Sequence, residues 1–279
     1  MQLNEPNWLV ELKAFCEMYN IPINHLHEVL KDPKVIPMIR GKAFEFTVLS
    51  TLQHSLTNRF QVTKKMVNPQ LGYHDEDVAV IDTQRNYRFI VECKLAKKGS
   101  YTYFPKQRLH RIEVKCMRSR TLGKEMQVRL APILGVSIEQ LGIHNDQYRI
   151  ADFDVVITSI GNSFYETDEN GLFVWKPSVE GTQFLHGLGY ENGDIQNFAF
   201  NKLYIARSVD LVPHIQTSDR DEIKCSRAKC QNQYGCEFIP NYPKIFFADN
   251  ARKPNAPWYD LEDAEALFST STPYAQSGN

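Results

Sequence analysis

The sequence predicts an α/β (α+β) fold: a mixed central sheet flanked by helices, with an N-terminal helical cap and a C-terminal extension. Three observations lead there. Residues 40–56 place Phe44, Val48, Leu49, Leu52 and Leu56 along one stripe at helical spacing. Two apolar runs, DVAVID and RFIVECKL, flank the polar Thr83-Gln84-Arg85-Asn86, as a β-hairpin with a four-residue loop does. The run DFDVVITSI, residues 152–160, is apolar enough for a buried central strand.

The other elements follow in order. Residues 5–19 read as an amphipathic helix with Trp8, Leu12, Phe15 and Tyr19 on one face, and a short helix follows near residues 24–30. Pro33 and Pro37 separate this cap, residues 1–38, from the next helix. Residues 109–117, LHRIEVKCM, form a further strand-like run. Residues 122–141 read as helix interrupted near Pro132 and Gly135, with Ser137 capping a second short helix. Segments 161–175 and 198–212 read as strands and turns, suited to recognition or dimerisation. The core is expected over 39–215 and a cysteine-containing extension over 216–268, with residues 269–279 a disordered tail.

Composition sets outer limits. The chain has 279 residues, 42% hydrophobic and 23% charged, in the range of ordinary globular proteins. No apolar run approaches a membrane span, and Glu5, Glu11 and Lys13 interrupt the N-terminal apolar residues, unlike a signal peptide. A cytoplasmic location is the expectation. Six cysteines in a chain of this size do not demand a disulfide framework. There is no His-Glu-x-x-His, Gly-x-Ser-x-Gly or phosphate-loop glycine pattern to suggest another chemistry.

The hairpin carries the chemistry. If Asp82 faces Tyr87, Asp77 falls opposite Glu92, and opposed residues share a face. One face then carries Asp77, Glu92 and Lys94; the other carries Val78, Val80, Phe89, Val91, Cys93 and Leu95. Two opposed carboxylates repel unless a cation lies between them, and carboxylate oxygens suit Mg²⁺ or Mn²⁺ better than zinc. A lysine two residues past the Glu is placed to orient a metal-bound water or offset charge on a phosphate.

Asp77, fourteen intervening residues and Glu92-Cys93-Lys94 closing an apolar strand resemble the PD-(D/E)xK nuclease motif. That superfamily includes many type II restriction endonucleases. The resemblance implies a restriction-endonuclease-like αβββαβ core, with Mg²⁺ held by Asp77, Glu92 and the Cys93 carbonyl. It also implies that Lys94 positions the attacking water and that Glu45, on the preceding helix, assists. Glu76 stands where the family often has proline, which leaves Asp75 as a possible substitute for Asp77. A second Glu-x-Lys, Glu113 and Lys115, is the alternative catalytic pair. If residues 109–117 lay beside the hairpin, both pairs would line one groove.

Basic residues cluster nearby, although the whole chain has formal charge −1. Lys97, Lys98, Lys115, Arg118 and Arg120 are the expected contacts to a DNA backbone. Cys225, Cys230 and Cys236 lie within twelve residues, with four and five intervening residues, spacings that miss the usual zinc knuckle. They read either as free thiols or, with a fourth ligand such as His214, as a structural zinc site.

The reading these features favour is a Mg²⁺-dependent endonuclease of double-stranded DNA, most like a type II restriction enzyme. Such an enzyme is expected to be a homodimer on palindromic sites and to be accompanied by a protective DNA methyltransferase. Alternatives are a repair, recombination or modification-dependent nuclease without a fixed site, and a non-catalytic, zinc-stapled nucleic-acid-binding module.

Overall fold

The computed structural model describes residues 7–65, 76–119, 121–215 and 222–274. Two helices, α1 (Asn7–Met18) and α2 (Leu26–Lys31), precede the long α3 (Val35–Ser55). Pro37 does not separate cap from core. It occupies the first turn of α3, where a missing N–H costs no helical hydrogen bond, so the expected boundary at 38/39 falls inside a helix. The apolar face expected of α1 is turned outward: Trp8, Phe15 and Tyr19 are exposed and only Cys16 is buried.

Strands β1 (Phe60–Thr63), β2 (Val78–Asp82) and β3 (Tyr87–Cys93) follow as an antiparallel meander. The hairpin loop is the expected one, with Asp82 paired to Tyr87. Asn86 takes the left-handed conformation that asparagine tolerates, and Asp82 accepts from the Gln84 N–H at 3.1 Å. Strands β4 (Thr102–Phe104) and β5 (Leu109–Glu113) then leave the sheet, followed by α4 (Lys124–Leu134) and α5 (Ile138–Ile143). Gly135 ends α4 with φ 63°, and the Ser137 side chain accepts from the Gln140 N–H, as the helix-stop and cap signals predict.

This long excursion permits the next strand, β6 (Val155–Ser159), to lie parallel to β3, because a parallel pair needs a crossover connection. All five β6 residues are buried, as its composition predicts. Beyond it come β7 (Tyr165–Thr167), β8 (Phe173–Trp175), α6 (Val179–Gly187), α7 (Ile195–Asn201), β9 (Leu203–Arg207) and α8 (Ser208–Leu211). Segment 198–212, expected to be strands and turns, is therefore largely helical at both ends. The chain ends with β10 (Lys244–Ala248), β11 (Tyr259–Asp260) and α9 (Ala264–Thr270).

The mixed six-stranded sheet has the order β1-β2-β3-β6-β9-β11 and is flanked by helices. The expected series of helix, three strands, helix and strand is met in part: α3, β1, β2 and β3 are followed by β4 and β5 of a second sheet before α4, α5 and β6. The third strand of that series is β1, which precedes the hairpin. Strand β5, expected to fill that role, instead joins β10 and β4 in a separate sheet.

One face of the large sheet buries Val78, Val80, Phe89, Val91 and Cys93 under Phe44, Val48 and Leu52 of α3 and Phe268 of α9. The other buries Val156, Tyr204 and Ala206 with Ile112, Val114, Phe247 and Trp258. At roughly 1.5–3 kcal/mol for each fully buried large apolar side chain, these layers supply the force that fixes the hairpin's register. C-terminal residues are part of this core rather than an extension laid upon it. Strand β11 pairs with β9, and the Phe268 ring packs 5.2 Å from Phe89. Residues 269–274, expected to belong to a disordered tail, are ordered: Ser271 is buried and the Tyr274 N–H donates to Asp154 at 2.5 Å; residues 275–279 lie outside the described residues.

Candidate functional site

Strand register places the acids. Val78 pairs with Val91, so one step further brings Asp77 opposite Glu92 at the end of the ribbon. Both are nearly buried, at 8% and 5% exposure. The Asp77 carboxylate accepts the Cys93 N–H at 2.9 Å, a bond that ties the start of β2 to the end of β3. Glu92 Oε1 accepts the Tyr148 hydroxyl at 2.8 Å and pairs with the Lys94 ammonium at 2.5 Å. The Lys94 ammonium also lies 5.2 Å from the centre of the Tyr148 ring.

Helix α3 brings the third acid. Glu45 is buried and pairs with Lys42 at 2.9 Å and with the Lys64 ammonium. Lys64 follows β1 and also donates to the Asp77 main-chain carbonyl at 2.8 Å, so it bridges helix and hairpin. Glu45, Asp77, Glu92 and Lys94 are thus drawn to one rim of the sheet.

The electrostatics are those of crowded carboxylates. Burial, reinforced by the Glu92 and Glu45 charges, pushes the Asp77 carboxyl up to about 8, against the opposing Cys93 N–H and Lys94 ammonium. Burial pulls the Lys94 ammonium down, but Glu92, Tyr148 and Asp77 outweigh it and hold Lys94 charged. Burial and the neighbouring Glu92 raise the Tyr148 phenol, which therefore stays a hydrogen-bond donor. Three carboxylates thus share the rim with the Lys42, Lys64 and Lys94 ammonium groups, and Asp77 is the acid held in its protonated form.

The alternative pair does not line the same groove. Glu113 pairs with Lys97 at 2.7 Å and with Arg111 at 3.8 Å, in the smaller sheet. Contact between the two strand ends is limited to an Ala96–Val114 bridge and flanking bonds such as Lys115 N–H to the Leu95 carbonyl, 3.3 Å. Lys115 is exposed. Of the other expected backbone contacts, Lys97 is taken up by Glu113, and Lys98 donates to Thr167 and lies 4.3 Å from the Phe173 ring centre. Arg118 donates to the Gln147 carbonyl at 3.0 Å, pairs with Asp152 and covers the Tyr148 ring, so it is a structural cation beside the rim. Asp75 and Arg120 lie outside the described residues.

A second cluster lies in the α4–α5 region. Cys225, Cys230 and Cys236 converge with His144, and the four ligand atoms all lie within 4.8 Å of one another. All four residues are buried. Such a Cys₃His set could hold a metal ion such as zinc. His214, the expected fourth ligand, is elsewhere: its main chain bridges to Ile223 and its Nδ1 lies 3.0 Å from the Val212 carbonyl. Among the described residues, the rim carboxylates do not converge so closely.

Three participants escaped sequence reasoning. His144 is distant from the cysteines and has no motif of its own. Tyr148 and Lys64 lie in segments whose relation to the hairpin depends on tertiary packing; only the short alternating FQVT before Lys64 signals a strand leading to the rim. No family model, no curated protein and no solved structure matches the chain.

Proposed function

We infer that the protein is a Mg²⁺-dependent endodeoxyribonuclease, most like a type II restriction endonuclease. One observation carries the reading: Asp77 stands opposite Glu92 at the end of an antiparallel ribbon, with Lys94 two residues on and Glu45 arriving from α3. The helix, three antiparallel strands and crossover to a parallel β6 are the order expected of a restriction-endonuclease-like core.

The donor set suits a hard divalent cation, because it is all oxygen, and a cation there would offset the burial and the Glu92 repulsion that raise Asp77. Asp77 and Glu92 would hold the ion, with the Cys93 carbonyl, which lies on the Asp77 side of β3 like the Cys93 N–H. Bound there, Mg²⁺ supplies Lewis acidity toward a phosphodiester and lowers the pKa of water. Lys94, kept protonated by its neighbours, orients the attacking water and offsets charge building on the phosphate. Tyr148 holds the Glu92 carboxylate in one orientation. Glu45, braced by Lys42 and Lys64, sets the field around Asp77. Lys115 is exposed, and unlike Lys97 and Arg118 it is not taken up by a neighbouring acid among the described residues, so it is the expected contact to a DNA backbone. A homodimer and a companion methyltransferase belong to this reading.

Incubation of the purified chain with unmodified plasmid DNA and Mg²⁺, followed by mapping of the ends, tests it. Discrete fragments with constant ends are expected; a smear points to a nuclease without a fixed site, and intact DNA removes the nuclease reading. One observation favours a non-catalytic, metal-stapled binding module: Glu92 is already satisfied by Lys94 and Tyr148, and the closest metal-ligand cluster is the Cys₃His set. Salt-dependent DNA binding without turnover is the result that module gives.

A further inference from the structure

We propose that His144, Cys225, Cys230 and Cys236 hold a resident zinc ion that clasps residues 222–239 onto the 144–150 segment and thereby holds Tyr148 on Glu92. Thiolate and imidazole are the ligands zinc prefers, and four of them converging in one buried place is a closed structural set with no open position. Six cysteines are free thiols, and three of them meet here without pairing.

The ring of His144 is prepared for the task. Its Nδ1 lies 2.7 Å from Gln147 Oε1, and that oxygen also accepts from Arg227 Nε at 3.1 Å. An acceptor on that side makes Nδ1 the protonated nitrogen and leaves the Nε2 lone pair facing the thiols, 3.8 Å from Cys236 Sγ. Phe238 stacks flat on the imidazole at 4.2 Å and fixes its plane. The Arg227 N–H points at Cys225 Sγ, 3.5 Å away, as an N–H does toward a thiolate ligand. Metal binding displaces the three thiol protons, and Arg227 and Lys229 lie next to the resulting anionic centre in sequence.

The second argument is order without regular structure. Among the described residues, 222–243 form no helix or strand beyond isolated bridges, yet Cys225, Cys230, Cys236, Phe238 and Ile239 are buried. A cross-link at one end of this segment accounts for its fixed course. From that link the path to the rim is short: Gln147 Nε2 donates to the Ile239 carbonyl at 2.8 Å, the Ile239 N–H to the Tyr148 carbonyl at 2.8 Å, and Tyr148 to Glu92. The inference stands whether or not the rim cleaves DNA.

Elemental analysis of the purified full chain is expected to find one zinc per chain. A chelator should release it, with proteolysis beginning inside 222–239 while wild-type protein holding its metal stays intact there. Gln147→Leu, which keeps all four ligands, should weaken zinc retention about 10–100-fold through loss of the imidazole's partner. Cys230→Ser should lose the metal outright; because that variant can also unfold, the decisive readings are metal content and thiol reactivity of the wild-type chain. Folded wild-type protein that is metal-free, holds iron instead of zinc, or leaves Cys225, Cys230 and Cys236 freely reactive in its as-purified state overturns the proposal.

Discussion

Tyr148 donates its hydroxyl to Glu92 Oε1 at 2.8 Å across 56 residues of sequence, and both side chains are almost fully removed from solvent. This bond links the α5–β6 connection to the acid at the end of β3, and its loss leaves a buried carboxylate oxygen with one donor fewer. Tyr148→Phe is therefore expected to cost about 1.5–3 kcal/mol, the range for a hydrogen bond to a charged group, in urea unfolding. An unchanged midpoint would show that water replaces the phenol without penalty.

The crowded rim gives stability a particular pH dependence. Asp77 has an ordinary carboxyl value of 3.8 and is raised to about 8, so the folded chain binds that proton more tightly than the unfolded chain. Its contribution is fully present below pH 3.8 and is lost as pH rises through about 8. Without divalent cations, wild-type protein should lose stability across that window, and Asp77→Asn should remove this component of the slope. Added Mg²⁺ should stabilise wild type more at pH 8.5 than at pH 6, since ion and proton compete for one carboxylate. Melting temperatures across pH for both proteins, with and without Mg²⁺, check the sign.

At the other end of the hairpin, Asp82 is fully buried and paired with Arg59 and Arg85. Arg85 also reaches the Ser271 carbonyl at 2.9 Å, so this carboxylate joins the β2–β3 turn to the C-terminus. Asp82→Ala strands two guanidinium groups. About 3 kcal/mol of destabilisation is expected, near the low end for a broken buried pair because both arginines keep some solvent contact. Equal stability of Asp82→Ala and wild type in urea would contradict this role.

Helix α9 is a structural part of the core. Phe268 is fully buried, 5.2 Å from Phe89 and 6.1 Å from Phe60. Phe268→Ala should cost about 3–5 kcal/mol through lost burial and an unfilled cavity. A loss below about 1 kcal/mol in urea would return this region to the status of an appendage.

Much of this architecture was legible in the sequence where local signals sufficed. The alternation of DVAVID and RFIVECKL, with a polar four-residue turn, set the register that puts Asp77 opposite Glu92. The stripe of α3 and the apolar run of β6 were equally readable, because one-sided burial and full burial each leave a pattern. What failed depends on contacts between distant segments. Strand β5 ends on Glu113, the acid of a second Glu-x-Lys, and nothing local says that this strand pairs with β10, more than a hundred residues away. Pro37 reads as a helix breaker until its place in the first turn is known. The three clustered cysteines left free thiols and a metal site both open, and the residue that converges with them, His144, is brought by the fold alone.

The most direct test of the account compares wild type with Glu92→Gln and Lys94→Ala on plasmid DNA in Mg²⁺. Cleavage is expected to fall by about 10²–10³-fold or more in each variant, while DNA binding in Ca²⁺ persists. Full cleavage by either variant would contradict the assignment and move the chemistry to Glu113 and Lys115.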